Sequence, residues 1–413
     1  MRRTVLTTAL LALALCAGAQ NYASGSYAFG ASASTVGLAG VPQSFGAILA
    51  QIDGNNTTLK ALRDKADADQ LDARTGINPS DPEVELGYLW GDSPSTGNRL
   101  DINVKQSFDF PSAYYWRRKL AEGQCSIAEM EYAIGRKDIL FEAEQTLIKL
   151  VYVNAMLREL KRCDDNMKAI ADGWQARFDA GNASLLDLNK AKITKLQTAK
   201  DLAEMMVEKE DLLAELERLN GEEPVRFDVD EFDPVLIPEK FEVWYNEEVM
   251  SSPELLSFDA QINSARAASR LAASESLPKI SLGYVSERIL GTTLQGIEGG
   301  ISIPLWENRN KVRAAKARTA AALSQAEDAA RQYFNRLKIK HSKAIRMQLV
   351  ADSYRDAFNS SNNIDLARQA LEAGSINLLD YITEADIWYE ALASALETER
   401  DAQLIASELR WMR

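Results

Sequence analysis

The sequence predicts a mainly α-helical chain with a small membrane β-barrel portion, built from a duplicated helix, β-hairpin and long helical hairpin unit. Three observations predict it. Two separated pairs of short segments alternate apolar and polar residues at period 2, and the stretches around them keep a helical period for tens of residues. The whole arrangement then recurs 193 residues later in the same order, which a chance pair of helical regions would not do.

The N-terminus sets the compartment. Arg2 and Arg3, the apolar run Val5 to Cys16, and Ala17-Gly18-Ala19 form the three regions of a secretory signal peptide over residues 1–19. Cys16 also suggests a lipoprotein signal, but Leu15 before it is bulkier than that processing usually accepts, which favours plain cleavage. Residues 20–43, rich in Gly, Ala and Ser, read as a mobile leader. Across 413 residues, 46% are hydrophobic and 26% charged, a folded composition. The net charge of -13 argues against nucleic acid as a partner, since phosphate binding needs a basic face. Cys125 and Cys163 fall in one expected helix, ~57 Å apart at ~1.5 Å per residue, so they do not pair. Beyond the signal no apolar run approaches the ~20 residues of a membrane helix, and any membrane span must be made of strands.

The first repeat covers residues 44–220. A helix opens at Ser44, with Phe45, Ile48, Leu49, Ile52, Leu59, Leu62 and Ala66 on one face, and ends before Gly76 and Pro79. Two strands follow between residues 82 and 111, Val84 to Trp90 and Leu100 to Phe110. Their even positions, among them Val84, Leu86, Tyr88, Trp90, Ile102, Val104, Phe108 and Phe110, are apolar, and the odd ones between are polar. From Pro111 a helix runs to about Phe178, ~100 Å at ~1.5 Å per residue. It stops at RFDAGNASLLDL, where Gly181 suits a left-handed C-cap and Ser184 with Asp187 forms a capping box. A return helix reaches about Leu219.

Residues 221–252 break the pattern with Pro224, Pro234, Pro238 and ten acidic side chains. They read as an acidic linker with room for one short strand at VRFDV. The second repeat, 253–413, holds a helix to Ser276, strands between 278 and 304, a long helix from Trp306, a tip at Gly374, and a last helix ending near Arg413. Its hairpin loop reads as Gly291 to Gly296, and Gly299 and Gly300 read as permitting strand bending. Gly374, Asn377 and Asp380 stand where Gly181, Ser184 and Asp187 stood. Proline to tip glycine spans 70 residues in both copies, Pro111 to Gly181 and Pro304 to Gly374.

Strands with one apolar and one polar face cannot lie open in a bilayer, because their edge N–H and C=O groups would be unsatisfied. A membrane barrel needs about 8 or more strands and the chain offers four, so self-association is required, and a trimer would supply about 12. Tyr88, Trp90, Phe108, Phe110, Tyr284 and Trp306 suit an aromatic girdle at the membrane surface. A soluble two-sheet core also uses aromatics, but the long helices leave nothing to cover a second face. Lys279, Ser281, Glu298 and Ser302 on the polar side are candidates to line a pore.

GGISIPLWENRNKVRAAKA, Gly299 to Ala317, with the tips RFDAGNASLLDL and LEAGSINLLDYI, resembles the TolC-like outer-membrane efflux proteins, the outer membrane factor family. The resemblance runs from about Ser44 to the C-terminus and rests on the ordered set of segments. It implies a homotrimer with a shared 12-stranded barrel on an α-helical tunnel, spanning from the bacterial outer membrane and its lipid into the periplasm. It further implies a passive exit duct in a tripartite efflux system, with a periplasmic adaptor (membrane fusion) protein and an inner-membrane transporter as partners. Gly181, Asn182, Ser184, Asp187, Gly374, Ser375, Asn377, Asp380 and Glu384 would then shape the periplasmic entrance and contact the adaptor. Of the two carboxylates such relatives carry on the second tip, Asp380 matches the first. Thr383 occupies the second position, with Glu384 beside it, and Ile376 stands where a basic residue is expected.

The residues offer no chemistry to set against transport. His341 is the sole histidine, so HExxH sites and His-based triads are excluded by count, and it reads as a packing or surface residue. No enzyme, metal or cofactor is expected. The rival reading is a non-channel periplasmic helical scaffold.

Overall fold

A computed structural model describes residues 44–412 other than 94, 235, 305, 307 and 360–362. The expected signal peptide, Cys16 and the leader 20–43 lie outside the described residues. In chain order the elements are α1 (Phe45–Asn55), α2 (Thr57–Ala73), β1 (Glu83–Leu89), β2 (Arg99–Phe108), α3 (Pro111–Asp179) and α4 (Leu185–Leu219). After them come α5 (Phe241–Glu247), α6 (Pro253–Ser274), β3 (Lys279–Ile289), β4 (Thr292–Ser302), α7 (Lys311–Asn359), α8 (Asn363–Glu372) and α9 (Leu378–Trp411).

The helix expected from Ser44 is two helices, because Asn56 interrupts it. Its backbone is extended, its Oδ1 accepts from the Leu59 N–H at 2.8 Å to cap α2, and its Nδ2 donates to the Leu219 carbonyl at 2.7 Å. One side chain thus starts a helix and ties it to the end of α4.

α3 is 69 residues long and changes character along its length. In its middle, Leu140, Leu147, Leu150 and Val151 are buried with Ile48 and Ile52 of α1, Leu216 and Leu219 of α4, and Val225 and Phe227. That belt is the main core, and it explains why the helix is apolar on more than one face there. Val225 and Phe227 correct an expectation. VRFDV forms no strand; its alternation puts two side chains into the core, while Asn154 Nδ2 donates to the carbonyls of Phe227 and Val229 at 3.4 and 2.9 Å. A helix side chain does what a neighbouring strand would have done.

The expected linker is also only partly a linker. Phe241, Trp244 and Tyr245 sit at i, i+3 and i+4 on α5 and bury against Tyr333 and Leu337 of α7 and Ile405 and Leu409 of α9. His341 lies among them, 5% exposed, stacked on Trp244 and 2.6 Å from the Pro238 carbonyl through Nε2. It is a buried packing histidine.

The four strands form one antiparallel sheet in the order β1-β2-β3-β4. β2 pairs with β3 from Arg99↔Ile289 to Phe108↔Ile280, so the two repeats join through their hairpins. The β3–β4 turn is shorter than expected: Leu290 and Gly291, with φ of 49° and 80°, make the whole turn, and Thr292–Gly296 are strand. Trp90 and Phe110 lie just past the ends of their strands. The helix expected from Trp306 starts at Lys311, and α7 and α8 cover its described residues up to the tip.

Candidate functional site

The register assigns every strand residue to a face. Val84↔Val104↔Tyr284↔Ile297 and Phe108↔Ile280↔Ile301 lie on one side with Leu86, Tyr88, Ile102 and Leu282. Few of these side chains are covered: Leu86 is 72% exposed, Ile297 88% and Ile301 72%. A continuous apolar surface therefore spans all four strands with nothing from the described residues upon it. Of the girdle candidates, Tyr88 packs edge-on to Trp90 at 5.5 Å and accepts from Asn98 Nδ2, Tyr284 donates to Gln295 Oε1, Trp90, Phe110 and Trp306 are exposed, and Phe108 is half-buried.

The opposite face is polar. Glu83↔Lys105, Asp101↔Glu287, Ser107↔Ser281 and Lys279↔Ser302 are opposed pairs, and Glu298 joins them across Gly283. Lys279, Ser281, Glu298 and Ser302 therefore share one side. Arg99 donates to Asp101 at 2.7 Å and to Glu287 at 2.5 Å. Gly300 has a packing reason rather than a bending one, since a β-carbon there would lie 2.6 Å from Ser281 Oγ. β1 and β4 are the sheet edges, with no strand beyond them among the described residues.

Where strands meet helices, charges from both repeats interlock. Arg117 of α3 donates to Asp109 at 2.5 Å and reaches Glu275 at 3.4 Å, Lys279 lies 3.3 Å from Asp109, and Lys311 lies 2.6 Å from Glu275. Burial works against the Arg117 charge, but Asp109 and Glu275 outweigh it and hold its pKa above the ordinary arginine value. Lys279, a candidate pore residue, thus also has a structural partner. Sequence reading missed this network, whose members lie as much as 202 positions apart, from Asp109 to Lys311.

The two tips at the far end of the long helices close by the same bonds. Gly181 and Gly374 have φ of 76° and 73°; the following N–H groups, of Asn182 and Ser375, reach back to the Arg177 and Ala370 carbonyls at 2.8 Å each. At the second tip Asn377 and Asp380 form a full capping box. The first differs from expectation: the Asp187 N–H donates to Ser184 Oγ, while the Asp187 carboxylate accepts from the Ser184 hydroxyl at 2.6 Å rather than from its backbone. Ile376 packs against the cluster of Met167, Leu371 and Tyr381 just behind the tip. Asn182, Ser184, Gly374, Ser375, Asn377, Asp380 and Glu384 are all exposed there, as are Leu185, Leu186 and Leu379.

No protein-family profile and no curated protein sequence matches this chain. Solved structures do. CusC, described as forming a transmembrane channel, superposes with a TM-score of 0.74 at 14% identity over 90% of this chain and 92% of its own. The Campylobacter jejuni outer-membrane channel CmeC gives 0.68 at 17% over 89% and 85%, and the open state of the Neisseria gonorrhoeae outer-membrane channel MtrE gives 0.69 at 13% over 89% and 88%. This chain has the TolC-like outer-membrane channel fold. Within the TolC-like fold, the sheet with its bare apolar face and the tips with their capped glycines occupy opposite ends of the long helices. The structure brings the strand candidates together on the sheet and the tip candidates together at the turns. No helix of the described residues is long and apolar enough to cross a membrane.

Proposed function

We propose that this protein is the outer-membrane channel of a tripartite efflux or export system, a passive duct for substrates delivered from an inner-membrane transporter through a periplasmic adaptor. The observation that carries the reading is a four-stranded sheet with an uncovered apolar face and two open edges. β2, β3 and β4 have 10, 11 and 11 residues, the length a tilted strand needs to cross a bilayer, about 9–11. Four strands are too few to close a barrel; three copies joined β1 to β4 would make twelve and satisfy both edges.

In that assembly the apolar face meets lipid, with Tyr88, Trp90, Phe108, Phe110, Tyr284 and Trp306 at its borders. The polar face, including Lys279, Ser281, Glu298 and Ser302, lines the lumen. The helices continue it as a tunnel into the periplasm. Gly181, Asn182, Ser184, Asp187, Gly374, Ser375, Asn377, Asp380 and Glu384 form the entrance and the adaptor contact. With Ile376 half-buried against apolar side chains, closure relies on packing more than on a basic lock. The similarity of fold to CusC, CmeC and MtrE supports the channel reading.

The test is conductance of the purified full chain in a planar bilayer, with its mass measured in detergent. Discrete channels from a trimeric species are expected. Recovery from the soluble periplasm without detergent, with no conductance, would sink the proposal and favour the scaffold.

A further inference from the structure

A cavity of about 650 Å³ lies away from the sheet and the tips. It opens in the core belt between α1, α3, the segment 231–233, the start of α6 and the end of α9. Four aromatic side chains, Phe45, Tyr132, Phe232 and Trp411, stand in its wall with aliphatic Leu49 and Ile148. Its size falls within the range of small-molecule sites, ~300–1,000 Å³.

The charges of this cavity decide what it can hold. Each cationic side chain in the wall already has a counter-charge from the same chain. Arg136 donates to both oxygens of Asp53 at 2.6 and 2.7 Å, Lys137 to Glu254, and Arg410 to Glu144, which the Trp411 indole N–H also engages. Glu129 is held by Arg63 at 3.1 Å. What remains is negative. Glu231 is 85% exposed and 3.9 Å from Arg158, a contact worth little at that exposure. Asp233 is fixed over the cavity by its backbone carbonyl, which accepts from the Gln403 side chain, and its carboxylate has no ion pair among the described residues.

We propose that this cavity binds an organic monocation with an aromatic body. Arg63 already lies over the Tyr132 ring, 5.1 Å from its centroid, so Phe45, Phe232 and Trp411 are the rings left for cation–π contact, and Glu231 and Asp233 supply the opposing charge at the mouth. An anion of the same shape would meet two carboxylates, and the cations of the wall are each already paired. The inference stands apart from the channel reading, since it rests on the core belt of a single chain.

The test is equilibrium dialysis of the full chain in detergent against ethidium, an aromatic monocation, with protein-free micelles as the blank. The aromatic monoanion 8-anilinonaphthalene-1-sulfonate is the charge control. One saturable ethidium site per chain above the blank is expected, with binding of the anion at least roughly tenfold weaker. The double variant Glu231→Gln, Asp233→Asn should weaken ethidium about tenfold and leave the helical circular dichroism unchanged, because both side chains are exposed. Phe232→Ala should weaken it as well. Absence of a saturable site, equal binding of the two ions, or full affinity in the double variant would each overturn the proposal. Conductance is read separately on the same preparations, so loss of the channel reading and loss of this one are distinguishable.

Discussion

The Arg117 guanidinium donates to Asp109 Oδ2 at 2.5 Å and lies 3.4 Å from Glu275 Oε1, so a single side chain near the start of α3 holds the end of β2 to the end of α6. All three side chains are about four-fifths buried. Removing the cation leaves two carboxylates with one partly exposed lysine each. Arg117→Ala should therefore lower unfolding free energy by about 2–3 kcal/mol, somewhat less than a fully buried pair would lose. Arg117→Lys should recover part of it. Denaturant titration followed by circular dichroism checks this, and an unchanged midpoint would show the network to be idle.

Gly181 and Gly374 test the tips. A β-carbon at either would meet nothing within 4 Å, so the penalty of Ala comes from φ alone, about 1–2 kcal/mol. Gly374→Ala should raise hydrogen exchange of the amides that close the second tip, at Gly374 and Ser375, and Gly374→Asn should raise it less. The core belt should keep its protection. Loss of protection throughout the chain would contradict a local role.

Alkaline stability depends on buried tyrosines: burial raises the pKa of Tyr389, Tyr381 and Tyr245, and two more give a defined window. Burial, then the nearby carboxylates Glu397 and Glu254, pushes Tyr152 and Tyr333 up to about 12 each. Their folded pKa values are raised, so their contribution to stability is complete below the unfolded value, about 10, and is lost as pH rises toward about 12. Absorbance at the tyrosinate band should show these two groups titrating late, with unfolding beginning in that window. Tyr152→Phe should flatten the loss of stability, and a profile identical to the parent would refute the assignment.

The open edges predict a covalent trimer. Glu85→Cys combined in turn with cysteine at Leu294, Gly296 or Glu298 should give, for at least one pair, a cross-linked species of three chains under oxidising conditions. On a Cys125→Ser, Cys163→Ser background, variants carrying only one of the two introduced cysteines should not. Cross-linked dimers that never extend to three would count against β1 meeting β4 in a closed ring.

The charge of the polar face gives a further expectation for the proposed lumen. The polar face carries Glu83, Glu85, Asp101, Glu287 and Glu298 against Arg99, Lys105 and Lys279, five acids to three bases. Reversal potentials in a KCl gradient should show modest cation preference, diminished by Glu85→Gln with Glu298→Gln. Anion selectivity in the parent would overturn this.

What could be read from the chain follows the range of the interaction. The alternation of Val84, Leu86 and Tyr88 and the cap chemistry of Asn377 and Asp380 are local, and both were legible. VRFDV shows the limit of alternation, which tells that Val225 and Phe227 are buried but not whether a strand lies beside them; Asn154 does. Phe241, Trp244 and Tyr245 carried a helical signal that the surrounding prolines and acids obscured. Leu290 gave no signal at all. Its φ of 49° suits Asn or Gly, and only the contact with Gly97, where a β-carbon would sit 2.3 Å from Leu290 Cδ2, shows what the leucine is for. The Arg117 network needed residues brought from both repeats, and no spacing in the sequence announces it.

The bare edges of β1 and β4 also shape the life of the chain before assembly. A newly made single copy exposes two unsatisfied backbone ladders beside a greasy surface, the template on which strands from any source can stack. If it assembles as proposed, its most hazardous interval lies between synthesis and meeting its partner copies. Yield should therefore depend on how crowded that interval is: slow expression, or refolding at low concentration with detergent already present, favours the productive form, and rapid accumulation diverts the same edges into aggregates.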